Sequence, residues 1–96
     1  MIKINIKNDE ITIKGHSLYD DYGKDIVCAS VSSICITTVN ALLSIDEDCI
    51  TYEESEGYLK IKINKHTEEV DKLINNMINL LSELEKNYKK NIQIIR

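Results

Sequence analysis

The sequence predicts an α+β domain in which seven elements follow the order ββαββαβ and two helices cover one face of a mostly antiparallel sheet. Two observations support this fold class. Short segments in which apolar residues alternate with polar ones come in pairs, as in β-hairpins. Two longer segments, 25–44 and 67–90, are too long for strands in a chain of 96 residues. Because no linker, repeat or low-complexity segment separates the elements, residues 1–96 are expected to form one domain.

Two segments have the pattern of a β-hairpin. Residues 1–14 alternate isoleucine with polar residues on both sides of the polar turn 8–10, so one face of this hairpin is almost entirely isoleucine. Residues 49–54 and 58–63 form the second hairpin, and Gly57 supplies its turn. The alternating isoleucines of the first hairpin are Ile2, Ile4, Ile6, Ile11 and Ile13.

The two helices are predicted on different grounds. Segment 25–44 is rich in β-branched residues, which favour a strand, but its length and its small residues favour a buried helix packed on a sheet. Segment 67–90 has apolar residues at helical spacing, Thr67 as its N-terminal cap, and lysines at its end, where the helix dipole favours cations. The apolar run 92–95 adds a last strand. The lysines at the helix end are Lys86, Lys89 and Lys90.

Charge and composition exclude some classes of function. The 16 acidic and 12 basic residues give a net charge of −4, which argues against a surface that binds nucleic acid. The N-terminal residues alternate and lack the continuous apolar stretch of a signal peptide or membrane helix, so a cytoplasmic protein without membrane contact is expected. In that compartment the three cysteines, Cys28, Cys35 and Cys49, would be reduced thiols.

One segment combines residues that suit nucleophilic chemistry. His16 follows the first hairpin, a polar loop covers 17–24, and Asp25 can cap a helix whose first turn contains Cys28. A helix N-terminus stabilises a thiolate, His16 can take the thiol proton, and the free N–H groups of the first turn can bind an oxyanion. By residue type alone, however, a cysteine such as Cys28 is more often a small buried hydrophobe, and a histidine such as His16 is usually a surface or loop residue.

The same segment resembles a known family. Gly15-His16, followed twelve positions after the histidine by Cys28 within Asp25-Ile26-Val27-Cys28-Ala29, and then Ser32, is similar to the ribosomal-processing cysteine protease family. The resemblance extends over the whole chain, through its length, its ββαββαβ order, the stretch 39–41 and the acidic second hairpin. Ser17 and Ser30 depart from the family pattern, but neither change removes a reacting group.

The resemblance implies a function and a set of site residues. Such enzymes remove a short N-terminal extension from the precursor of a large-subunit ribosomal protein, and they act as homodimers without a cofactor. By this resemblance Cys28 is the nucleophile and His16 its base, with Gly15, Asp25 and Ser32 in support. For Asp25 the physical role is to cap the helix or orient His16, and Ser32 lies one helical turn after Cys28, where it can hydrogen-bond near the thiol. Purely structural roles for Asp25 and Ser32 remain open.

The remaining candidate groups suggest no second site. The cysteines and histidines lack the close spacing of zinc ligands, so no metal is expected, and Cys35 and Cys49 read as core residues. The glutamates of 53–56 suit a solvated turn, although an acidic surface would also favour encounter with a basic ribosomal protein. Gly23 suggests that loop 17–24 closes on substrate and completes the dyad. The alternative function is a non-catalytic α+β module that binds a ribosomal or other protein.

Overall fold

The computed structural model describes residues 1–16, 20 and 25–96 of the chain. It confirms the predicted order ββαββαβ and the α+β class. Its elements are β1 (Ile2–Lys7), β2 (Glu10–Lys14), α1 (Ile26–Ile45), β3 (Ile50–Ser55), β4 (Tyr58–Ile63), α2 (Glu68–Asn87) and β5 (Ile92–Ile95).

The helix ends differ slightly from the prediction. Helix α1 begins after Asp25 and extends one residue further than expected, and Thr67 caps α2 as predicted. Helix α2 ends at Asn87 and not at 90, because the chain turns there: the N–H groups of Asn91 and Ile92 both donate to the carbonyl of Tyr88. Of the three lysines expected at the helix end, only Lys86 lies in the last turn.

The five strands form one sheet in the order β3-β4-β2-β1-β5. All neighbouring pairs are antiparallel except β1 and β5, which are parallel. The pairing of β2 with β4 joins the two hairpins, with Ile11 opposite Ile61 and Ile13 opposite Leu59. As a result, the end of β2 lies beside the turn between β3 and β4.

Both helices cover the isoleucine-rich face of the sheet, as predicted. Full burial of an isoleucine or leucine side chain is worth about 1.5–3 kcal/mol relative to its exposure, so this face supplies much of the driving force for folding. The buried residues of the sheet are Ile2, Ile4, Ile11, Ile13, Ile50, Leu59, Ile61, Ile63 and Ile92. Those of the helices are Val27, Val31, Cys35, Val39 and Leu42 in α1 and Val70, Ile74, Met77 and Leu81 in α2.

Helix α1 carries polar residues within an apolar sequence. The hydroxyls of Ser30 and Thr38 donate to the carbonyls of Ile26 and Ile34, 2.7 and 2.8 Å away, which satisfies them without a partner from another element. By length and composition α1 is also apolar enough to cross a membrane. Helices in protein cores share this length and composition, and one face of α1 is buried against the sheet.

His66 links two distant parts of the chain at the surface. Its Nδ1 lies 2.7 Å from a carboxylate oxygen of Asp71 in the first turn of α2, and its Nε2 lies 2.7 Å from one of Asp9 in the β1–β2 turn. The hydrogen bond to Asp71, followed by that to Asp9, raises the pKa of His66 above its usual value near 6.5. All three side chains are about half exposed, so solvent screens the two contacts.

This linkage predicts a pH dependence of stability. A raised pKa in the folded state means that the contribution of protonated His66 is fully present below about pH 6.5 and is lost as pH rises through its folded-state pKa. We expect the difference in free energy of unfolding between wild type and His66→Gln to be largest near pH 6 and to shrink towards pH 8, as measured by urea denaturation. A difference that is constant over this range would show that the linkage does not stabilise the fold.

Candidate active site

A cleft of about 630 Å³ opens between the first half of α1 and the end of the sheet where β2 terminates. It brings together residues from β1, β2, α1, β3, β4 and the β3–β4 turn. Both His16 and Cys28 line it, so the structure places the two predicted reacting residues at one site. Its described lining is Ile2, Ile13, Gly15, His16, Cys28, Val31, Ser32, Cys35, Ile36, Glu54, Ser55, Glu56, Gly57, Tyr58 and Leu59.

Cys28 owes its position to the cap of α1. Asp25 adopts extended backbone angles, and its Oδ1 accepts hydrogen bonds from the N–H groups of Val27 and Cys28, both at 3.0 Å. Replacing such a cap by alanine generally costs about 1 kcal/mol. The prediction that Asp25 caps this helix is therefore confirmed, and Cys28 lies in its first turn, partly buried against the core.

The capping geometry corrects one expectation about the oxyanion. The N–H groups of Val27 and Cys28 were expected to be free to bind it, but both donate to Asp25, and the N–H of Ala29 donates to the carbonyl of Asp25 at 3.1 Å. The expectation is therefore wrong for these donors in this structure. At the helix start, only the N–H of Ile26 has no hydrogen-bond partner among the described residues.

Two glycines place His16 at the other wall of the cleft. Gly15 has φ +99°, and a Cβ atom there would collide with the carbonyl oxygen of Met1. Its N–H donates to the carbonyl of Gly57 at 2.9 Å, which ties the residue before His16 to the β3–β4 turn. The Gly-His dipeptide thus has a physical reason: only glycine permits both the positive φ and the close approach to the first strand.

Gly57 was predicted only as a turn residue, but it also contacts His16. Its φ is +67°, and a Cβ atom added there would lie 3.0 Å from Nε2 and 3.4 Å from Cε1 of the imidazole. The missing side chain therefore leaves the space that the His16 ring occupies. The sequence indicated that residue 57 is a glycine in a turn. It did not indicate that Gly57 lies beside His16, because that contact depends on the pairing of β2 with β4.

Ser32 lies where the sequence predicted, one turn after Cys28 and in the same cleft. Its hydrogen bond near the thiol remains a prediction. The expected movement of loop 17–24 concerns residues 17–19 and 21–24, which lie outside the described part of the chain. The backbone N–H of Asp20, which is described, lies 3.5 Å from the Asp25 carboxylate.

The other two cysteines are core residues, as predicted. Burial raises the pKa of the Cys35 thiol to about 12, and it also raises the pKa of Cys49, helped by the negative charge of Asp46. The Cys49 thiol donates to the carbonyl of Leu42 at 3.4 Å. Neither thiol is suited to act as a nucleophile at neutral pH, because the thiolate is the reactive form.

The charged side chains of the described cleft lining other than His16 and Cys28 are acidic. Glu54 and Glu56 contribute carboxylates, whereas the described lining contains no lysine or arginine. Neither glutamate makes an ion pair within the described ranges 1–16, 20 and 25–96. Within those ranges no three histidine, cysteine, aspartate or glutamate side chains are arranged to hold a metal ion.

An α+β domain with a helix-start cysteine and a histidine on facing walls of one cleft has the architecture of a thiol-dependent hydrolase. A family model described as Cysteine protease Prp matches residues 1–93. The chain therefore belongs to the cysteine protease Prp family, and it is a cysteine protease.

Individual relatives agree in sequence and in fold. The Ribosomal processing cysteine protease Prp of Staphylococcus aureus is 29% identical over 103 aligned residues, which cover 98% of this chain and 97% of that protein. The protein of the same name from Bacillus subtilis is 28% identical over 87 residues, 83% of this chain and 78% of that one. The crystal structure of the essential ribosomal processing protease Prp from S. aureus, with a covalently linked product peptide, has a TM-score of 0.86 at 23% identity, over 98% of this chain and 95% of that one.

The contact between Gly57 and His16 makes a testable prediction. Gly57→Ala should destabilise the fold by on the order of 1 kcal/mol, because φ is positive, and should also displace the imidazole. Asn8→Ala is a matched control, since Asn8 has φ 52° in the β1–β2 turn at the other end of the sheet. We expect both variants to lose a similar amount of free energy of unfolding in urea denaturation. Only Gly57→Ala should shift the His16 ring resonances in NMR spectra. Unchanged His16 resonances would contradict this.

Proposed function

We propose that this protease removes the short N-terminal extension of a large-subunit ribosomal protein precursor, with Cys28 as nucleophile and His16 as its base. The observation that carries the proposal is the cleft that Cys28 and His16 share, in a chain of the cysteine protease Prp family. The relatives are named ribosomal processing cysteine proteases, which supports the choice of substrate.

The chemistry follows from the two side chains. His16 takes the proton of the Cys28 thiol, and the thiolate attacks the carbonyl carbon of the scissile peptide bond. The tetrahedral intermediate collapses, the C–N bond breaks, and the leaving amine takes the proton from His16. A thioester then joins Cys28 to the N-terminal fragment. Water, losing a proton to His16, hydrolyses this thioester, releases the carboxylate and regenerates the thiol.

The supporting residues have positioning roles in this proposal. Asp25 fixes the first turn of α1 and hence Cys28, and Gly15 fixes the backbone that leads into His16. Ser32 lines the same cleft, and we expect its hydroxyl to hydrogen-bond near the thiol. The N–H groups of Val27 and Cys28 are bound to Asp25, so the oxyanion requires another donor or a rearrangement of this cap when substrate binds.

The proposal extends to the partners and location of the protein. The acidic cleft and the net charge of −4 favour encounter with a basic protein and not with nucleic acid. A ribosomal substrate implies action in the cytoplasm. A homodimer is supported by the family resemblance and by apolar side chains exposed on the small domain, among them Ile26, Ile45 and Leu80.

The direct test of the function is cleavage. The protein is mixed with the N-terminally extended ribosomal protein from the same genome, and the products are identified by mass spectrometry. We expect wild type to release one short N-terminal peptide, and we expect Cys28→Ala and His16→Ala to reduce the rate by at least about a hundredfold, the usual contribution of a general base. Cys49→Ala, a change in the core outside the cleft lining, serves as the control for altered folding. Intact substrate after incubation with wild type would refute the proposed function.

Thiol labelling separates the protease from the non-catalytic binding module. Iodoacetamide should alkylate Cys28 faster than Cys35 and Cys49, because those two thiols are buried and their pKa values are raised. The rate at Cys28 should fall in His16→Ala, as followed by mass spectrometry of intact protein and peptides. Equal and slow labelling of all three cysteines would favour the binding module.

A further inference from the structure

No described strand pairs with the outer edge of β3, and this edge adjoins the cleft. We propose that the substrate binds in an extended conformation as an added strand on β3, through the main-chain groups of Tyr52 and Glu54. This inference rests on the proposed proteolytic function and states how the same site holds its peptide. Strand addition to an exposed sheet edge is a recurrent mode of peptide recognition, in which main-chain hydrogen bonds supply affinity and alternate side chains supply specificity.

The register shows which groups of β3 face outwards. In a central antiparallel strand, successive residues direct their N–H and C=O groups to alternate neighbours. Gly57 accepts from Gly15 and Ile63 donates to Asp9, at 2.9 and 2.8 Å, so the odd-numbered residues of β4 face β2. The even-numbered residues of β4 therefore face β3, and their partners Thr51, Glu53 and Ser55 use their main-chain groups within the sheet.

The remaining residues of β3 direct their main-chain groups away from the sheet. These are Ile50, Tyr52 and Glu54, whose partners across the pair are Ile63, Ile61 and Leu59. The N–H groups of Tyr52 and Glu54 have no hydrogen-bond partner in the described part of the chain. Unpaired groups of this kind at an edge are a template for another strand.

The opposite edge of the sheet is protected. Strand β5 has four residues, and its outward N–H at Ile94 donates to a carboxylate oxygen of Glu85 in α2, 2.6 Å away. Strand β3 has six residues and contains no proline and no lysine, and its charged side chains are those of Glu53 and Glu54. Among the residues that the structure describes, β3 is therefore the sheet edge with unpaired main-chain groups.

The side chains of the same residues connect this edge to the cleft. Glu54 lies across from Leu59 and Tyr52 across from Ile61, so both point to the face that the helices cover. Both are nevertheless exposed, since the helices leave the end of β3 uncovered. Glu54 lines the cleft together with Cys28, so a strand paired at Tyr52 and Glu54 continues into the site that holds the nucleophile.

The test uses a synthetic peptide that spans the cleavage site of the N-terminally extended ribosomal protein from the same genome. Tyr52→Pro removes the outward N–H of β3 and leaves the β3–β4 hydrogen bonds intact, and Tyr52→Ala removes the side chain only. We expect KM to be about two- to tenfold higher for Tyr52→Pro than for Tyr52→Ala, the usual range for one hydrogen bond, with kcat little changed. In wild type the N–H of Glu53 faces β4. Glu53→Pro should therefore lower the melting temperature more than Tyr52→Pro does.

A second measurement uses the wild-type enzyme and avoids any folding defect. Peptides N-methylated at one residue at a time lose one main-chain donor each. Strand addition predicts that KM rises when the N-methyl group is at every second residue on one side of the scissile bond. N-methylation of the residues between should change KM little. A profile without this alternation, together with equal KM values for Tyr52→Pro and Tyr52→Ala, would overturn the inference and leave the proposed function standing.

Two other outcomes are also decisive. If wild type does not cleave the unmodified peptide or the full-length precursor, the proposed function fails and this inference fails with it. If Tyr52→Pro converts a dimer to a monomer in light scattering while the N-methylation profile stays flat, the edge pairs with a second copy of this chain, which overturns substrate binding there.

Discussion

The pairing of β2 with β4 is the contact on which the rest of this structure depends. It joins two hairpins that lie far apart in the sequence, and it aligns Ile11 with Ile61 and Ile13 with Leu59 beneath the helices. A slip by one residue would turn the isoleucine face towards solvent, so the hydrophobic core fixes the register. The same register brings Gly15 against Gly57, and thereby brings His16 to the cleft.

The site is built largely by the main chain, and this explains its residue types. Glycine is required before His16 because the backbone has a positive φ and passes close to the carbonyl oxygen of Met1. Glycine is favoured at 57 because φ is positive there too and an added Cβ would lie only 3.0 Å from the imidazole. On the opposite wall, the carboxylate of Asp25 holds the first turn of α1 and so orients Cys28. The two candidate reacting side chains are thus held by elements whose own conformations are fixed by packing and capping.

The local elements were predictable because their causes are local. Alternating isoleucines specify the first hairpin, helical spacing specifies α2, and Thr67 and Asp25 are effective caps in any context. Prediction was incomplete at two points, one caused by distant groups and the other by a neighbouring residue. Helix α2 ends at Asn87 because the chain must turn to bring β5 beside β1, and no sequence pattern at the lysines that follow indicates this. The N–H groups of the first turn of α1 were expected to be free, but the capping carboxylate of Asp25 accepts hydrogen bonds from two of them.

The sequence by itself determined the elements and, through the Gly15-His16 to Ser32 motif, the family and the candidate reacting residues. It did so because hydrophobic period, capping and motif spacing are properties of neighbouring residues. Only the tertiary structure decided the strand order, the open edge at β3, the contact between Gly57 and His16, and the shared cleft. These depend on which strands pair across long loops, a choice governed by burial of the whole isoleucine face and not by any one segment.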